Sequence, residues 1–271
     1  MVEQARGPAL IPEQRHQRLL AALRRDGVVS IRELTALLGV SHMTVRRDIA
    51  AMEATGQVLS VQGGVRLAGF AGQEPPSPRG QREVLERPRK SAIAREAAAH
   101  VEDGMVIYLD AGTTCQSLVP FVADRHDLTV VTNDFYTVTS LFAHPGIQVI
   151  HTGGVVDPDS ASSAGRLAAA TLTTINVDVA FLSTGAWSVS RGVSAPSLDK
   201  VELKRAAMAA TSSCVLLADS TKYGTFSKFK VTELERLDAV ISDEDLSADT
   251  VERIVELGVE VTLAEMEQTV P

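Results

Sequence analysis

From residue 91 onward, short apolar runs alternate with stretches that have the spacing of amphipathic helices. This alternation constrains the fold strongly, because strands separated by helices are typical of a mostly parallel sheet covered by helices. Strands are expected at Val106–Leu109, Leu128–Val131, Gln148–His151, Val179–Leu182, Val215–Ala218 and Ala239–Ile241, with Val259–Leu263 as a candidate last strand. Helices are expected at Lys90–Val101, Thr114–Val122, Phe135–Phe142, Arg166–Leu172 and Val201–Ala210.

The first 67 residues have a different pattern, which predicts three helices followed by a β-hairpin. The first helix is expected near residues 12–25. The second begins with a capping box, in which the Ser30 hydroxyl and the Glu33 carboxylate each accept a backbone N–H. The residues expected to face inward are Leu19, Leu20 and Leu23 in the first helix and Ile31, Leu34, Leu37 and Leu38 in the second.

A short turn at Gly39 and Val40 separates the second helix from a third. Glycine supplies the positive φ that the end of a helix commonly requires, and Ser41 is placed to cap the third helix. Two helices joined by so short a turn predict a helix-turn-helix.

The third helix has one face that suits DNA recognition. Placing successive residues 100° apart puts Val45, Ile49 and Met52 on the buried side and Met43, Arg46, Arg47 and Ala50 on the opposite side. Guanidinium groups pair with guanine edges or phosphates, and the small Ala50 permits close approach. The alternative is that Arg46 and Arg47 are only a solvated charged face; the capped two-helix context favours recognition.

A β-hairpin wing is predicted after the third helix. Beyond Gly56, residues 57–67 consist of short alternating runs around a Gly-Gly pair, and Arg66 is available to the DNA backbone. With double-stranded operator DNA as the partner, the predicted contacts are Ser41, His42, Met43, Thr44, Arg46, Arg47 and Arg66.

Charge is distributed unevenly along the chain. The net charge is −8, but residues 1–67 carry nine basic and six acidic side chains, so this segment is +3 and the rest is −11. Residues 68–90 contain four prolines and many charges without an apolar period, which predicts a linker. We therefore expect a winged helix-turn-helix domain over 1–67, a linker over 68–90 and an α/β domain over 91–271.

Membrane and metal proteins are disfavoured by the composition. No apolar run has membrane-spanning length and the N-terminus lacks the apolar stretch of a signal peptide, so we expect a cytoplasmic protein with no membrane partner. Cys115 and Cys214 have no metal-ligand spacing, so neither a disulfide nor a metal site is expected. No cofactor is expected.

Polar residues and glycines collect where five predicted strands end. In open α/β sheets, ligands bind in the crevice at the carboxyl ends of the strands. The residues predicted to bind an effector there are Asp110, Gly112, Thr113, Thr114, Thr132, Asn133, Gly153, Gly154, Thr184, Gly185, Asp219 and Lys222.

These side chains suit a phosphorylated sugar or polyol. The turn at 112–114 offers backbone N–H groups and two hydroxyls to an anion, and Lys222 adds a positive charge. Asp110, Asn133 and Asp219 are able to bond sugar hydroxyls. Each turn alone is also explained by ordinary loop chemistry, and the repetition at five strand ends favours a binding site.

The segment VSHMTVRRDIAAMEATGQVLSVQGGV resembles the signature of the DeoR family of bacterial sugar-metabolism regulators. The motifs LDAGTT, VVTN, HTGG and ADSTKYG are similar to those of the family and follow its order, and the resemblance extends from about Ile11 to about Asp243. The sequence departs from the family at Ser60 and Gln62, where an arginine and a histidine are usual. These departures concern how the wing contacts DNA and operator choice.

The resemblance implies a repressor of carbohydrate-metabolism genes with a sensor domain similar to the ribose-5-phosphate isomerase and CoA-transferase fold. One wing domain is too small to bind DNA strongly, so we expect a homodimer or tetramer that places two recognition helices in successive major grooves. Ligand and operator are expected to be coupled through one two-state equilibrium.

An enzyme is the alternative, since sugar-phosphate isomerases of this fold carry acidic residues in the loop after the fourth strand. The chain between Asp178 and Asp199 contains no Asp or Glu. General acid–base chemistry lacks its carboxylate at that place, and Lys222 alone is better explained as a phosphate or hydroxyl contact. We therefore expect a regulator and not a sugar-phosphate isomerase.

Overall fold

The computed structural model describes residues 10–26, 28–55, 57–61, 64–67 and 79–266. The chain divides into two compact units, Met1–Gln73 and Glu74–Pro271. Among the described residues, no helix has both the length and the apolar character that crossing a membrane requires.

The first unit consists of three helices and a small antiparallel sheet. Its elements are α1 Pro12–Asp26, β1 Val28–Val29, α2 Ile31–Leu38, α3 His42–Ala54, β2 Val58–Val61 and β3 Gly64–Leu67. β2 and β3 form the predicted hairpin, and β1 pairs with β3, so the strand order is β1-β3-β2. The sequence pattern does not predict β1, because two residues are too few to show an alternation.

Local capping defines the helix-turn-helix. Ser30 Oγ accepts the Glu33 N–H at 3.2 Å and Glu33 Oε2 accepts the Ser30 N–H at 2.8 Å, so the predicted capping box is present. Gly39 adopts φ 63° and ends α2 in the left-handed conformation that glycine favours. Ser41 caps α3 by accepting the Thr44 N–H. The predicted turn chemistry is confirmed.

The apolar faces of the three helices meet in one core. Leu34 and Leu38 are buried, but Leu37, which the sequence places inward, is 43% exposed. The reason is angular: Leu37 lies about 60° around the helix axis from Leu34 on the side away from Leu38, at the rim of the stripe. The other buried members are Leu19, Ala22, Leu23, Val29, Val45, Ile49, Met52, Val58 and Val65.

The second unit is an α/β domain. Its first half contains α4 Arg79–Val84, α5 Arg87–Ala97, β4 Val106–Leu109, α6 Thr113–Gln116, α7 Val119–Val122, β5 Thr129–Thr132, α8 Phe135–Leu141, β6 Gln148–His151, β7 Val155–Asp157, β8 Ser162–Ala164 and α9 Arg166–Leu172. Its second half contains β9 Val177–Ser183, β10 Ala186–Ser188, β11 Gly192–Ala195, α10 Leu198–Ala210, β12 Thr211–Leu217, β13 Phe229–Thr232, β14 Ala239–Asp243, α11 Ala248–Glu256 and β15 Glu260–Ala264. Short 3-10 turns occur at Ala98–His100, Ser220–Lys222 and Leu234–Arg236.

Seven parallel strands form the main sheet, in the order β15-β14-β12-β9-β4-β5-β6. Each overlaps one of the seven runs that the sequence predicts as strands, so the mostly parallel sheet is confirmed. Successive side chains point to opposite faces: Tyr108 packs in one core with Val131, whereas Ile107 packs in the other with Val130. Burial on both faces explains why the strands are almost continuously apolar.

Two small antiparallel sheets accompany the main sheet. β7 pairs with β8, and the order of the other sheet is β10-β11-β13. Their strands have three or four residues, too few for an alternation that the sequence would reveal. Trp187 of β10 is fully buried, and its ring packs edge-on against Tyr223 with centroids 5.0 Å apart.

The predicted linker over 68–90 requires correction in its second half. Residues 68–78 lie outside the described residues, but α4 and the start of α5 occupy 79–90. Pro88 does not prevent this, because proline is tolerated in the first turn of a helix, where its missing N–H has no helical partner. Arg79 and Lys90 are buried, so the charges of this segment serve internal contacts.

Candidate functional site

Helix α3 presents the predicted recognition face to solvent. His42, Met43, Arg46 and Arg47 are exposed, and Met43 is 70% exposed. Neither arginine forms a hydrogen bond or an ion pair within the described part of the chain. The helix therefore carries two unpaired guanidinium groups on one side, which is the chemistry that binds phosphates and base edges.

Ser41 and Thr44 hold the N-terminus of α3. Ser41 Oγ accepts the Thr44 N–H at 3.2 Å and lies 3.0 Å from the Thr44 hydroxyl. Ser41 is exposed and Thr44 is half-buried. Capping therefore leaves the Ser41 hydroxyl within reach of a phosphate.

The wing is tied to α3 and displays Arg66. Glu53 of α3 accepts the N–H of Ser60 in β2, and this bond holds the pKa of the Glu53 carboxyl below its usual range. Arg66 is exposed on β3 and donates to the carbonyl of Leu67 at 3.0 Å. Gln62, the other position that departs from the family pattern, lies outside the described residues.

A buried ion pair, which the sequence pattern does not predict, orients α3. Arg15 of α1 bonds both carboxylate oxygens of Asp48, with Nε at 2.6 Å and Nη2 at 2.8 Å. Asp48 is buried, and the bond from Arg15 lowers the pKa of its carboxyl. A bidentate pair fixes geometry as well as charge, so it holds the rotation of α3 and the direction of its exposed arginines.

The five polar turns lie along one edge of the main sheet, because their strands are parallel neighbours in the order β12-β9-β4-β5-β6. Adjacent strands are about 4.8 Å apart, so the turns after β12 and β4 are roughly 10 Å apart. We call this edge the crevice; it is formed by residues 110–114, 132–134, 152–154, 183–185 and 219–222.

Asp110 lies beneath the crevice and is paired with a lysine that the sequence pattern does not predict. Lys204 of α10 is buried; its ammonium pairs with Asp110 Oδ2 and donates to the carbonyl of Ser183 at 2.7 Å. Asp110 also accepts the Ser183 N–H at 3.0 Å. In this arrangement Asp110 joins β4, β9 and α10 and offers little carboxylate surface to a ligand.

Thr132 and Asn133 are also bonded internally. Asn133 Oδ1 accepts the Tyr108 hydroxyl at 3.0 Å and the Ala111 N–H at 2.9 Å, and its Nδ2 donates to a carbonyl of β8 at 2.8 Å. The Thr132 hydroxyl donates to the carbonyl of Leu109 at 2.7 Å. These bonds join the ends of β4 and β5 and form the floor of the crevice.

The turn at 112–114 is tightly packed, yet it leaves two hydroxyls without partners. A Cβ at Gly112 would lie 2.2 Å from Ser183 Oγ, so the turn accepts a larger residue only if Ser183 moves. Thr113 and Thr114 are buried, and neither hydroxyl bonds within the described part of the chain. Neither hydroxyl oxygen is among the fully enclosed side-chain atoms that lack a partner, so both keep some exposure and are candidates for bonding a ligand.

The turns after β6 and β9 are mainly structural. Gly153 and Gly154 adopt φ 65° and 111°, where a side chain would be strained. The Thr184 hydroxyl donates to carbonyls of β10 and β11 at 2.9 and 3.0 Å. Gly185 is exposed. These residues lie at the crevice, but the Thr184 hydroxyl is already bonded to β10 and β11.

A group of three basic side chains, which we call the basic cluster, lies near the end of β12. Lys222 is half-buried and pairs with Asp219 at 2.9 Å. Lys90 of α5 is buried, and this burial, together with repulsion from Lys222, lowers its pKa to about 8. Arg82 of α4 is the third member, because its charge also lowers the pKa of Lys90, and Lys90 donates to its backbone carbonyl. Crowded, partly desolvated cations favour the binding of an anion.

Lys90, Lys204 and Arg82 are absent from the sequence prediction, although two of them carry a signal. Lys90 precedes Ile93 and Lys204 follows Val201, each by three residues, so both lysines lie on buried faces of helices. A lysine on such a face indicates a charge with a specific partner. Arg82 lies in the segment assigned to the linker, where no periodicity marks it.

The two cysteines are free and buried. Burial raises the pKa of both thiols, that of Cys214 to about 12, so neither is activated for nucleophilic chemistry. Within the described ranges, no three His, Cys, Asp or Glu side chains are arranged to hold a metal ion.

Solved structures share part of this architecture. Ribose 5-phosphate isomerase A of Methanocaldococcus jannaschii is 18% identical with a TM-score of 0.37, over 49% of this chain and 53% of that chain. The eIF2B delta subunit of Chaetomium thermophilum is 13% identical with a TM-score of 0.40, over 78% of this chain and 63% of that chain.

Sequence relatives cover most of the chain. Residues 15–69 match the DeoR-like helix-turn-helix domain and residues 86–244 match the DeoR C terminal sensor domain. An HTH-type transcriptional regulator of Haemophilus influenzae is 38% identical over 94% of this chain and 98% of its own length. The repressor CsqR of Escherichia coli K12 is 28% identical over 92% of this chain and 94% of its own length. With a helix-turn-helix unit, an α/β sensor unit and full-length relatives, the chain belongs to the DeoR family of DNA-binding transcriptional regulators.

Proposed function

We propose that this regulator represses carbohydrate-metabolism genes and that a phosphorylated sugar or polyol in the crevice controls its binding to operator DNA. The observation that carries the proposal is the basic cluster, which lies roughly 10 Å along the sheet edge from the unpartnered hydroxyls of Thr113 and Thr114. A phosphate suits the cluster and sugar hydroxyls suit the threonines. A small sugar phosphate has the length to reach both.

The electrostatics of the basic cluster favour a phosphate dianion. Lys222 repels Lys90, and Asp219 neutralises only part of the combined charge. A phosphate beside both ammonium groups replaces repulsion with charge-assisted hydrogen bonds. Binding at this place therefore stabilises the second unit.

On the DNA side, we propose that a homodimer or tetramer inserts one α3 helix into each of two successive major grooves. Arg46 and Arg47 contact base edges and phosphates, His42 and Thr44 contact phosphates, and Arg66 contacts the backbone from the wing. Half-sites about 34 Å apart and a partly palindromic operator follow from this arrangement. The protein would act in the cytoplasm, where bacterial operators lie.

The two sites are coupled through one conformational equilibrium, in which the ligand favours the form that binds operator less tightly. CsqR is named a transcriptional repressor, which supports repression as the role of this chain. By linkage, operator DNA lowers the affinity for the ligand by the same factor.

A melting-temperature screen tests the ligand. The full chain is heated with inorganic phosphate, ribose 5-phosphate, glycerol 3-phosphate and unphosphorylated ribose. A compound at a hundred times its Kd stabilises the folded chain by about 2.7 kcal/mol, and we expect this shift only from phosphorylated compounds. A shift from ribose alone, or from none of them, would contradict the proposed ligand class.

We propose that the crevice binds and does not catalyse. Asp110, whose carboxylate lies beneath the crevice, is almost fully buried and paired with Lys204, so it is poorly placed to move a substrate proton. Isomerised product from ribose 5-phosphate with purified protein, lost in Lys222→Ala, would instead support an isomerase.

A further inference from the structure

In the sequence, α4 lies between the DNA-binding elements and the residues of the crevice. It begins at Arg79, directly after residues 68–78, which follow the wing strand β3. A displacement of α4 therefore acts on the stretch of chain that leads to the first unit.

At its start, α4 is anchored by a buried ion pair. Arg79 Nη1 donates to Asp134 Oδ2 at 2.6 Å; Arg79 is 4% exposed and Asp134 is fully buried. Nη2 donates to Gln116 Oε1 at 2.7 Å, and the guanidinium carbon lies 4.5 Å from the centre of the Tyr136 ring. All three partners belong to the elements that carry the turns after β4 and β5.

The carboxylate of Asp134 also holds the crevice. Its Oδ2 accepts the Gly112 N–H at 3.1 Å, and its Oδ1 accepts the N–H groups of Tyr136 and Thr137 at the start of α8. One side chain therefore fixes the turn at 112–114, caps α8 and anchors α4. A shift of that turn changes the donors around Asp134 and with them its hold on Arg79.

At its other end, α4 is held by a member of the basic cluster. The Lys90 ammonium donates to the carbonyls of Arg82 and Leu85, at the end of α4 and just after it. A phosphate at the cluster competes with these carbonyls for the Lys90 N–H groups. An anion in the crevice thus weakens the attachment of α4 at its Lys90 end, and a shift of the turn at 112–114 weakens it at Asp134.

We propose that α4 is a strap, held between Asp134 and Lys90 in the form described and released when an anionic ligand binds in the crevice. The Arg79–Asp134 pair is then the positioning contact that transmits ligand binding to the DNA-binding unit. This inference rests on the proposed function, since the ligand is the sugar phosphate of the crevice.

The experiment compares DNA affinity with and without ligand for the full-length chain. The DNA is a duplex selected from a random-sequence library by the wild-type protein, and the ligand is whichever of inorganic phosphate, ribose 5-phosphate and glycerol 3-phosphate gives the largest melting shift. Wild type is expected to change its DNA Kd at least about fivefold on ligand addition. Arg79→Gln is expected to lose most of this change while the ligand still raises its melting temperature.

Two controls separate coupling from simple stabilisation. Asp178→Asn removes a carboxylate that accepts the Val106 N–H at the opposite edge of the same sheet, and it is expected to keep the wild-type response. Arg79→Lys keeps the charge and is expected to restore part of the response. If Arg79 only stabilises the fold, Arg79→Gln lowers the melting temperature but leaves the ligand response intact, and the proposal is overturned.

Hydrogen exchange of the wild-type chain provides a test that needs no variant. Ligand is expected to speed exchange of the amides of residues 79–84, because α4 loses its attachments. Unchanged or slower exchange, together with a clear melting shift, overturns the proposed strap but not the proposed effector site. A wild-type chain that shows no melting shift with any phosphate compound overturns the proposed effector site, and the strap falls with it.

Discussion

Arg46 and Arg47 stand in water on α3, whereas Asp110 and Lys204 are buried against each other beneath the crevice. The difference follows from the kind of partner that each unit is proposed to bind. Duplex DNA presents an extended array of phosphates to an exposed protein surface. Unpaired charges on that surface stay hydrated, so they cost the folded state little free energy. A small ligand is enclosed, and charges near it are desolvated, so they need partners within the protein.

Function and stability therefore rest on different charged residues. On α3, the functional charges contribute almost nothing to folding, and their removal should affect DNA binding alone. At the crevice, a buried floor supports the fold, and a partly buried basic cluster is the proposed site of contact with the ligand.

The largest effect on binding is expected from the double variant Arg46→Ala/Arg47→Ala. Each base or phosphate contact contributes about 1–3 kcal/mol, so losing both should weaken DNA binding by about 100-fold or more, without changing the melting temperature. Fluorescence anisotropy with the selected duplex measures the affinity. Arg253→Ala, which removes an exposed arginine of α11, is the matched control. Unchanged affinity in the double variant would remove α3 from the DNA interface.

The next effect concerns the floor of the crevice. Lys204→Met leaves the Asp110 carboxylate buried without its counter-ion, which should lower the free energy of unfolding by about 3–5 kcal/mol. Lys200→Met, one turn earlier on α10, breaks a more exposed pair with Asp157 and should cost about 1 kcal/mol or less. Urea denaturation measures both. Equal losses of unfolding free energy would show that the buried Asp110–Lys204 pair stabilises the fold no more than the exposed pair does.

A smaller effect is expected from Lys222→Met in the basic cluster. Loss of one charge-assisted contact should weaken ligand binding about tenfold and leave DNA affinity without ligand unchanged. Trp187 is the only tryptophan of the chain and packs against Tyr223, next to Lys222, so its fluorescence reports binding. Lys228→Met, an exposed lysine of the same loop, is the control. Equal ligand affinity in both variants would place the phosphate elsewhere.

The smallest effect is a pH dependence of ligand binding. The pKa of Lys90 is lowered to about 8 by burial and by Lys222, so Lys90 is charged below that pH and loses its proton above it. The phosphate keeps its second charge above pH 7, because its pKa is about 6, so affinity should fall severalfold as pH rises through 8. Calorimetry at several pH values measures this fall. Lys90→Gln should bind more weakly and lose the dependence, and a flat wild-type profile would contradict the role of Lys90.

The elements that follow local rules were predictable from the sequence. All seven strands of the main sheet overlap apolar runs, and burial on both faces favours such runs in the five inner strands. The Ser30–Glu33 capping box and the turn at Gly39 were equally accessible, because a cap is decided by residues three or four positions apart. The exposed face of α3 followed from helical spacing alone.

The division of the crevice residues was not predictable. The turns after the strands place Asp110, Asn133 and Lys222 at one edge, but sequence does not say which of these polar groups is already bonded.

That choice depends on partners far away along the chain. Lys204 reaches Asp110 across 94 positions and Arg79 reaches Asp134 across 55. A polar side chain at a strand end has the same local pattern whether it meets a ligand or a buried counter-ion, and only the packing of α4, α5 and α10 against the sheet supplies the counter-ion. The amino-acid pattern therefore determined the fold of each unit and the place of both candidate sites. The tertiary structure decided which charges remain available to a ligand, because a buried charge loses its hydration and requires a partner close to it in space.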